Sequence, residues 1–114
     1  MYEMSDPKSA DLLQGTLNML ILNVLSSGKA NGYEIAKEIE TRSAAALQVD
    51  HGSLYPALRR LEIHGWVEAN WEISPSKRKA RYYALTAAGR EQTRIERERW
   101  QASVLAVTRV MGMA

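Results

Sequence analysis

Apolar positions recur in steps of three and four over roughly residues 11–27. Leu13, Leu17, Leu20, Ile21 and Val24 share one stripe there, which predicts an amphipathic helix. Gly28 follows where a left-handed closing residue suits a helix end. Asn31 then holds the place of an N-cap and Glu34 the reciprocal place of a capping box. Ile35 and Ile39 give that second, short helix a narrow apolar stripe, and it ends around Arg42. A third helix, over roughly 52–64, carries Leu54, Leu58 and Leu61 on one face. Pro56 fits it only in the first turn, and Gly65 closes it. The period then changes to two. Val67, Ala69, Trp71 and Ile73 alternate with Glu68, Asn70 and Glu72, which predicts a half-buried strand. SPSKRK, residues 74–79, reads as a basic turn and residues 80–85 as a second, Tyr-rich strand, so the two make a β-hairpin. Thr86 caps a last helix that runs to about Met111.

This order predicts a mainly α fold with a small β-hairpin: a winged helix-turn-helix followed by a long C-terminal dimerisation helix. The expected divisions are an N-terminal arm (1–10), the winged helix-turn-helix (11–85) and the dimerisation helix (86–114). A chain of 114 residues can bury one core and not two. It has no cysteine, which excludes disulfides, thiolate zinc sites and thiol chemistry. The first ten residues mix charge with proline, unlike a secretory signal, and no apolar run approaches a membrane span. A soluble, cytoplasmic protein is the expectation.

Net charge is only +2, yet it is unevenly placed. Residues 1–50 carry 4 Lys/Arg against 7 Asp/Glu, and residues 51–114 carry 11 against 6. The basic second half suits a polyanion. Ser53, Tyr55, Arg59 and Arg60 lie away from the leucines of the third helix, as a major-groove reader requires, and a guanidinium fork pairs with guanine edges or phosphate. Lys77, Arg78, Lys79 and Arg81 at the hairpin suit backbone phosphates or a minor groove. Each piece alone has a plainer reading, a solvated loop or a solubilised helix face; the conjunction favours double-stranded DNA.

Enzyme chemistry finds no support. His51 and His64 are thirteen residues apart with no metal-ligand spacing around them, and they suit a helix start and a helix end. Phosphate-cradling GxxxxGK[ST] and GxGxxG motifs are absent, and no cofactor or metal is expected. The last helix is charged in its first half and apolar on several faces in its second, with Trp100, Val104, Val107 and Met111 on one stripe. A second copy of the chain, packed about a two-fold axis, is the economical cover for it. Trp100 is then either an aromatic anchor of that interface or one wall of a pocket for a small apolar or aromatic ligand.

Three stretches carry a resemblance: LLQGTLNMLILNVLSSGKANGYEIAKEI (12–39), GSLYPALRRLEIHGWV (52–67) and RKARYYALTAAGR (78–90). With them the chain resembles the PadR family of bacterial transcriptional regulators over nearly its whole length. The resemblance implies a winged-helix homodimer that binds a palindromic operator and usually represses transcription. It also implies that some members release DNA when a small molecule binds near the dimer interface. By position, Ser53, Tyr55, Pro56 and Arg59 match the recognition helix, residues 77–81 match the wing, and Tyr33 matches a helix flanking the DNA backbone. The single helix after the wing is similar to that of the short subgroup. It has no aromatic besides Trp100, so a flat ligand sandwich would need Trp100 from both subunits. Two other uses of the fold stay open: a small-molecule sensor that binds DNA weakly until partnered, and a protein-interaction module with no specific DNA site.

Overall fold

The computed structural model describes residues 10–113, with side chains from Gly15 onward. Helix α1 spans Ala10–Leu25, strand β1 Ala30–Asn31, α2 Gly32–Arg42, α3 His51–Ile63, β2 Val67–Ile73, β3 Lys79–Leu85 and α4 Ala87–Val110. Of the expected N-terminal arm only Ala10 is described, as the start of α1; the rest lies outside the described residues, as does the side chain of Leu13. The architecture is the expected winged helix-turn-helix followed by one long helix.

Helix α1 is the hub. It packs against α2, α3, β3 and α4. The predicted stripe is present, with Leu17, Ile21 and Val24 buried, but Leu22 and Leu25 are buried as well. An element enclosed by four neighbours has no wide polar face to offer, so a single stripe understates its burial. Ile35 and Ile39 of α2 and Leu54, Ala57, Leu58 and Leu61 of α3 complete the helical core, which Val67, Tyr83 and Leu85 extend into the sheet.

Local chemistry sets the boundaries. Asn31 caps α2 as its sequence implies: its Oδ1 accepts the Glu34 N–H at 2.9 Å, and Glu34 Oε1 accepts the Asn31 N–H at 3.0 Å. Helix α3 begins one residue earlier than expected because Asp50 caps it, with Oδ1 accepting the Ser53 N–H at 2.8 Å. Pro56 is therefore the sixth residue of α3 and lies beyond the first turn, correcting the expectation. Having no N–H, it leaves the Gly52 carbonyl without its helical donor on the exposed side of the helix.

The sheet has three strands in the order β1-β3-β2, one more than the predicted hairpin. Ala30 and Asn31 pair antiparallel with Tyr83 and Tyr82, and two residues are too few to show a period. The register of β2 and β3 runs from Val67 opposite Leu85 to Ile73 opposite Lys79, across a loop of residues 74–78 in which Lys77 takes a left-handed φ of 65°. The predicted alternation of β2 buries only its base. Val67 is buried and Ala69 half-buried, whereas Trp71 and Ile73 are 63% and 66% exposed because the hairpin extends past the helices that cover its root.

One junction ties the wing to the last helix. Thr86 donates its N–H to the Trp66 carbonyl (3.0 Å) and its hydroxyl to the Gly65 carbonyl (2.7 Å), while Oγ1 accepts the Gly89 N–H (3.0 Å). Gly65 turns the chain out of α3 with a φ of 77°. A Cβ on Gly89 would stand 1.9 Å from the Trp66 oxygen, so the start of α4 lies directly against the backbone that follows α3.

Candidate nucleic-acid interface

The exposed side of α3 begins at its N-terminal turns. Ser53 is half-buried there, Tyr55 and Pro56 are exposed, and the Arg59 side chain is 70% exposed, its guanidinium 4.0 Å from Glu62. Tyr55 leans on α2: a Cβ at Gly32 would fall 2.7 Å from the Tyr55 hydroxyl, so glycine is what lets the ring settle there. Tyr33, in the first turn of α2, is exposed beside it. Arg60 departs from this group. It is half-buried, and its Nη2 donates to Asn18 Oδ1 of α1 at 3.4 Å, so it points back into the helical bundle.

The wing supplies the other charges. Lys77, Arg78 and Lys79 are exposed, and among the described residues none of the three side chains has an ion partner. Arg81 is different: its Nη2 donates to Glu62 Oε2 at 2.8 Å and so fastens the wing to the C-terminal half of α3. Glu62 thus stands between a cation of the helix and a cation of the wing. Its role was illegible in the sequence, which shows only a polar residue on a helix. On the wing's outer side Lys29 donates to both carboxylate oxygens of Glu72 (2.8 and 3.0 Å), and that bond raises the Lys29 pKa.

Between α2, the N-terminal end of α3 and the underside of the wing runs an open groove of about 720 Å³. Tyr33, Tyr55 and Trp71 line it together with Arg78, Lys79 and Arg81. The structure therefore gathers five of the ten candidate DNA contacts, Tyr33, Tyr55, Arg78, Lys79 and Arg81, around one concavity, and it adds Trp71, which strand alternation had placed on the inner face of a half-buried strand. On α4, Trp100, Val104, Leu105, Val107 and Val110 are all exposed, as are Met111, its C-cap, and Met113 just beyond it. Trp100 also lines a hollow of about 250 Å³ with Thr16 and Met19 of α1. Among the described residues no helix is long and apolar enough to cross a membrane.

Residues 21–95 match the model of the transcriptional regulator PadR-like family. The chain belongs to that family. Its members are transcriptional regulators and not enzymes, in agreement with the reading of the sequence. A PadR family transcriptional regulator of Eggerthella lenta has a similar structure, with a TM-score of 0.79 at 27% identity, covering 98% of this chain and 96% of that one. The negative transcriptional regulator PadR of Bacillus subtilis is 26% identical over 76 residues, 67% of this chain and 42% of its own length. The structure of Bacillus subtilis PadR in complex with operator DNA matches with a TM-score of 0.62 at 25% identity, over 69% of this chain and 45% of that one.

Proposed function

We propose that this PadR-family protein is a sequence-specific DNA-binding regulator that acts as a homodimer on an inverted repeat, most simply as a repressor. The observation that carries the reading is that Tyr55, on the same side of α3 as the exposed Pro56 and Arg59, shares one groove with Arg78 and Lys79 of the wing. A relative with the same fold is known bound to operator DNA, which supports reading DNA as the partner of this chain. In this reading α3 enters the major groove, Arg59 reads a base edge, Tyr33 flanks the backbone, and Lys77, Arg78 and Lys79 hold phosphates. Arg81 adds a phosphate contact only if the phosphate shares it with Glu62. Arg60, turned toward Asn18, supports the helix from behind.

Arg59→Ala is expected to weaken a selected site more than random duplex, by about 1–3 kcal/mol of discrimination, because a base contact is lost. Titration of both duplexes at one salt concentration measures this, and equal losses would reassign Arg59 to phosphate.

The dimer reading rests on the second half of α4, whose apolar residues have no cover within one chain. Val107→Asp is expected to give monomers in sedimentation, since the seam would have to bury an unpaired charge. Persistent dimers would place the seam elsewhere. Two copies of Trp100 across such a seam, beside the hollow against α1, form the place where a flat apolar ligand would act to release DNA.

A further inference from the structure

We infer that Trp71, on the underside of the wing, is a DNA-backbone contact that seats one strand of the duplex in the groove between the wing and α3. The inference rests on the DNA-binding reading above and deepens it. The alternation of β2 puts Trp71 on the same face as Val67, which is buried in the core, and opposite Arg81 in the register. Beyond Ala69 no helix covers that face, so the indole hangs 63% exposed over the groove. Tyr33 and Tyr55 stand in the same groove, 65% and 46% exposed. Three large rings left open to water on one concave surface call for an occupant.

Charge decides which occupant fits. Arg78 and Lys79, which have no ion partner among the described residues, line the same groove beside the Glu62-paired Arg81, so its rim is cationic while its walls are aromatic. The acidic residue in the lining, Glu34, is committed to the Asn31 N–H as half of the capping box. A sugar–phosphate strand matches both properties. Its phosphates meet the cations, its deoxyribose faces lie against the rings, and the Trp71 indole N–H and the two tyrosine hydroxyls are neutral donors to phosphate oxygens.

The neutral character of the contact gives it a signature. Cations that neutralise phosphates release counterions and set the salt dependence of binding, whereas an indole releases none. Trp71→Ala is expected to weaken binding about tenfold, on a selected site and on random duplex alike, with the slope of log K against log salt at its wild-type value. Trp71→Phe, which keeps an aromatic face, is expected to recover most of the loss. Both variants are titrated with fluorescent duplexes across 50–200 mM salt, and their melting is compared with the wild type to establish folding. Wild-type affinity in Trp71→Ala, with wild-type protein binding DNA normally, overturns the inference and leaves the DNA reading standing; a groove that serves a small ligand instead gives that result. A changed salt slope also overturns it, since Trp71 would then act by placing the wing's cations. Absence of salt-dependent DNA binding in the wild type overturns both readings together.

Discussion

Gly89→Ala is expected to cost about 3–5 kcal/mol of folding stability, the largest loss expected from alanine at any of the seven glycines. In an ordinary helix interior the same change stabilises by up to about 1 kcal/mol, because alanine loses less backbone entropy than glycine. Here the sign reverses. The new Cβ would sit 1.9 Å from the Trp66 oxygen, 2.8 Å from its carbonyl carbon and 3.2 Å from its Cα. These are backbone atoms, so no side-chain rotation relieves the clash. The same carbonyl already accepts the Thr86 N–H at 3.0 Å, so moving it away breaks the cap that starts α4. Thermal unfolding should show a fall of roughly 12 °C or more. Gly15→Ala is the matched control: nothing lies within 4 Å of its added Cβ, and stability should rise slightly. Wild-type melting of Gly89→Ala would mean that the α3–β2 and β3–α4 junctions do not meet as described.

Replacing Lys77, Arg78 and Lys79 together with glutamine is expected to lower affinity for random duplex by roughly 10²–10³-fold near 0.1 M salt for each chain that contacts it. The slope of log K against log salt should flatten by up to about 2.7 per chain, about 0.9 for each phosphate no longer neutralised. The three side chains are exposed and have no ion partner among the described residues, so their charges are free for a polyanion. Neutralising them therefore breaks no ion pair of the described residues. Selected and random duplexes should lose affinity in the same proportion, since phosphate carries no sequence information. Arg109→Gln, at the far end of α4, should leave the slope unchanged. An unchanged slope in the triple variant would remove the wing from the interface.

The two replacements bear on different links of the account, one on the junction that places the wing and one on what the wing then does. Much of the first link was legible in the residues. Asn31 and Thr86 cap helices because a short polar side chain before an apolar period has few other uses, and both do so here. Strand β2 covers residues 67–73 as its alternation implies. What the pattern could not carry is distance. Alternation assigns Trp71 to the inner face correctly, but only the length of the hairpin relative to the helices decides whether that face is still covered. The same holds for Arg60, which lies off the leucine stripe yet meets Asn18 across the bundle, 42 residues away in sequence. Strand β1 escaped notice because it has two residues, and the Asp50 cap of α3 because the first residues of that helix, His51 and Gly52, are poor formers.

The candidate interface was legible in composition more than in arrangement. Arg and Lys clusters announce a polyanion, but the pairing of Arg81 with Glu62 depends on a contact between α3 and the wing that no local spacing encodes. Arg81 is thereby fixed in place as a strut between reader helix and wing, whereas Lys77, Arg78 and Lys79 stay available.

Selection of bound sequences from a random duplex pool, with purified protein at moderate salt, decides whether this chain reads DNA sequence as a two-fold dimer. Enrichment of an inverted repeat whose half-sites lie about one helical turn apart is the expected result, as two recognition helices related by a two-fold axis require. Recovery of a pool indistinguishable from random duplex would contradict it.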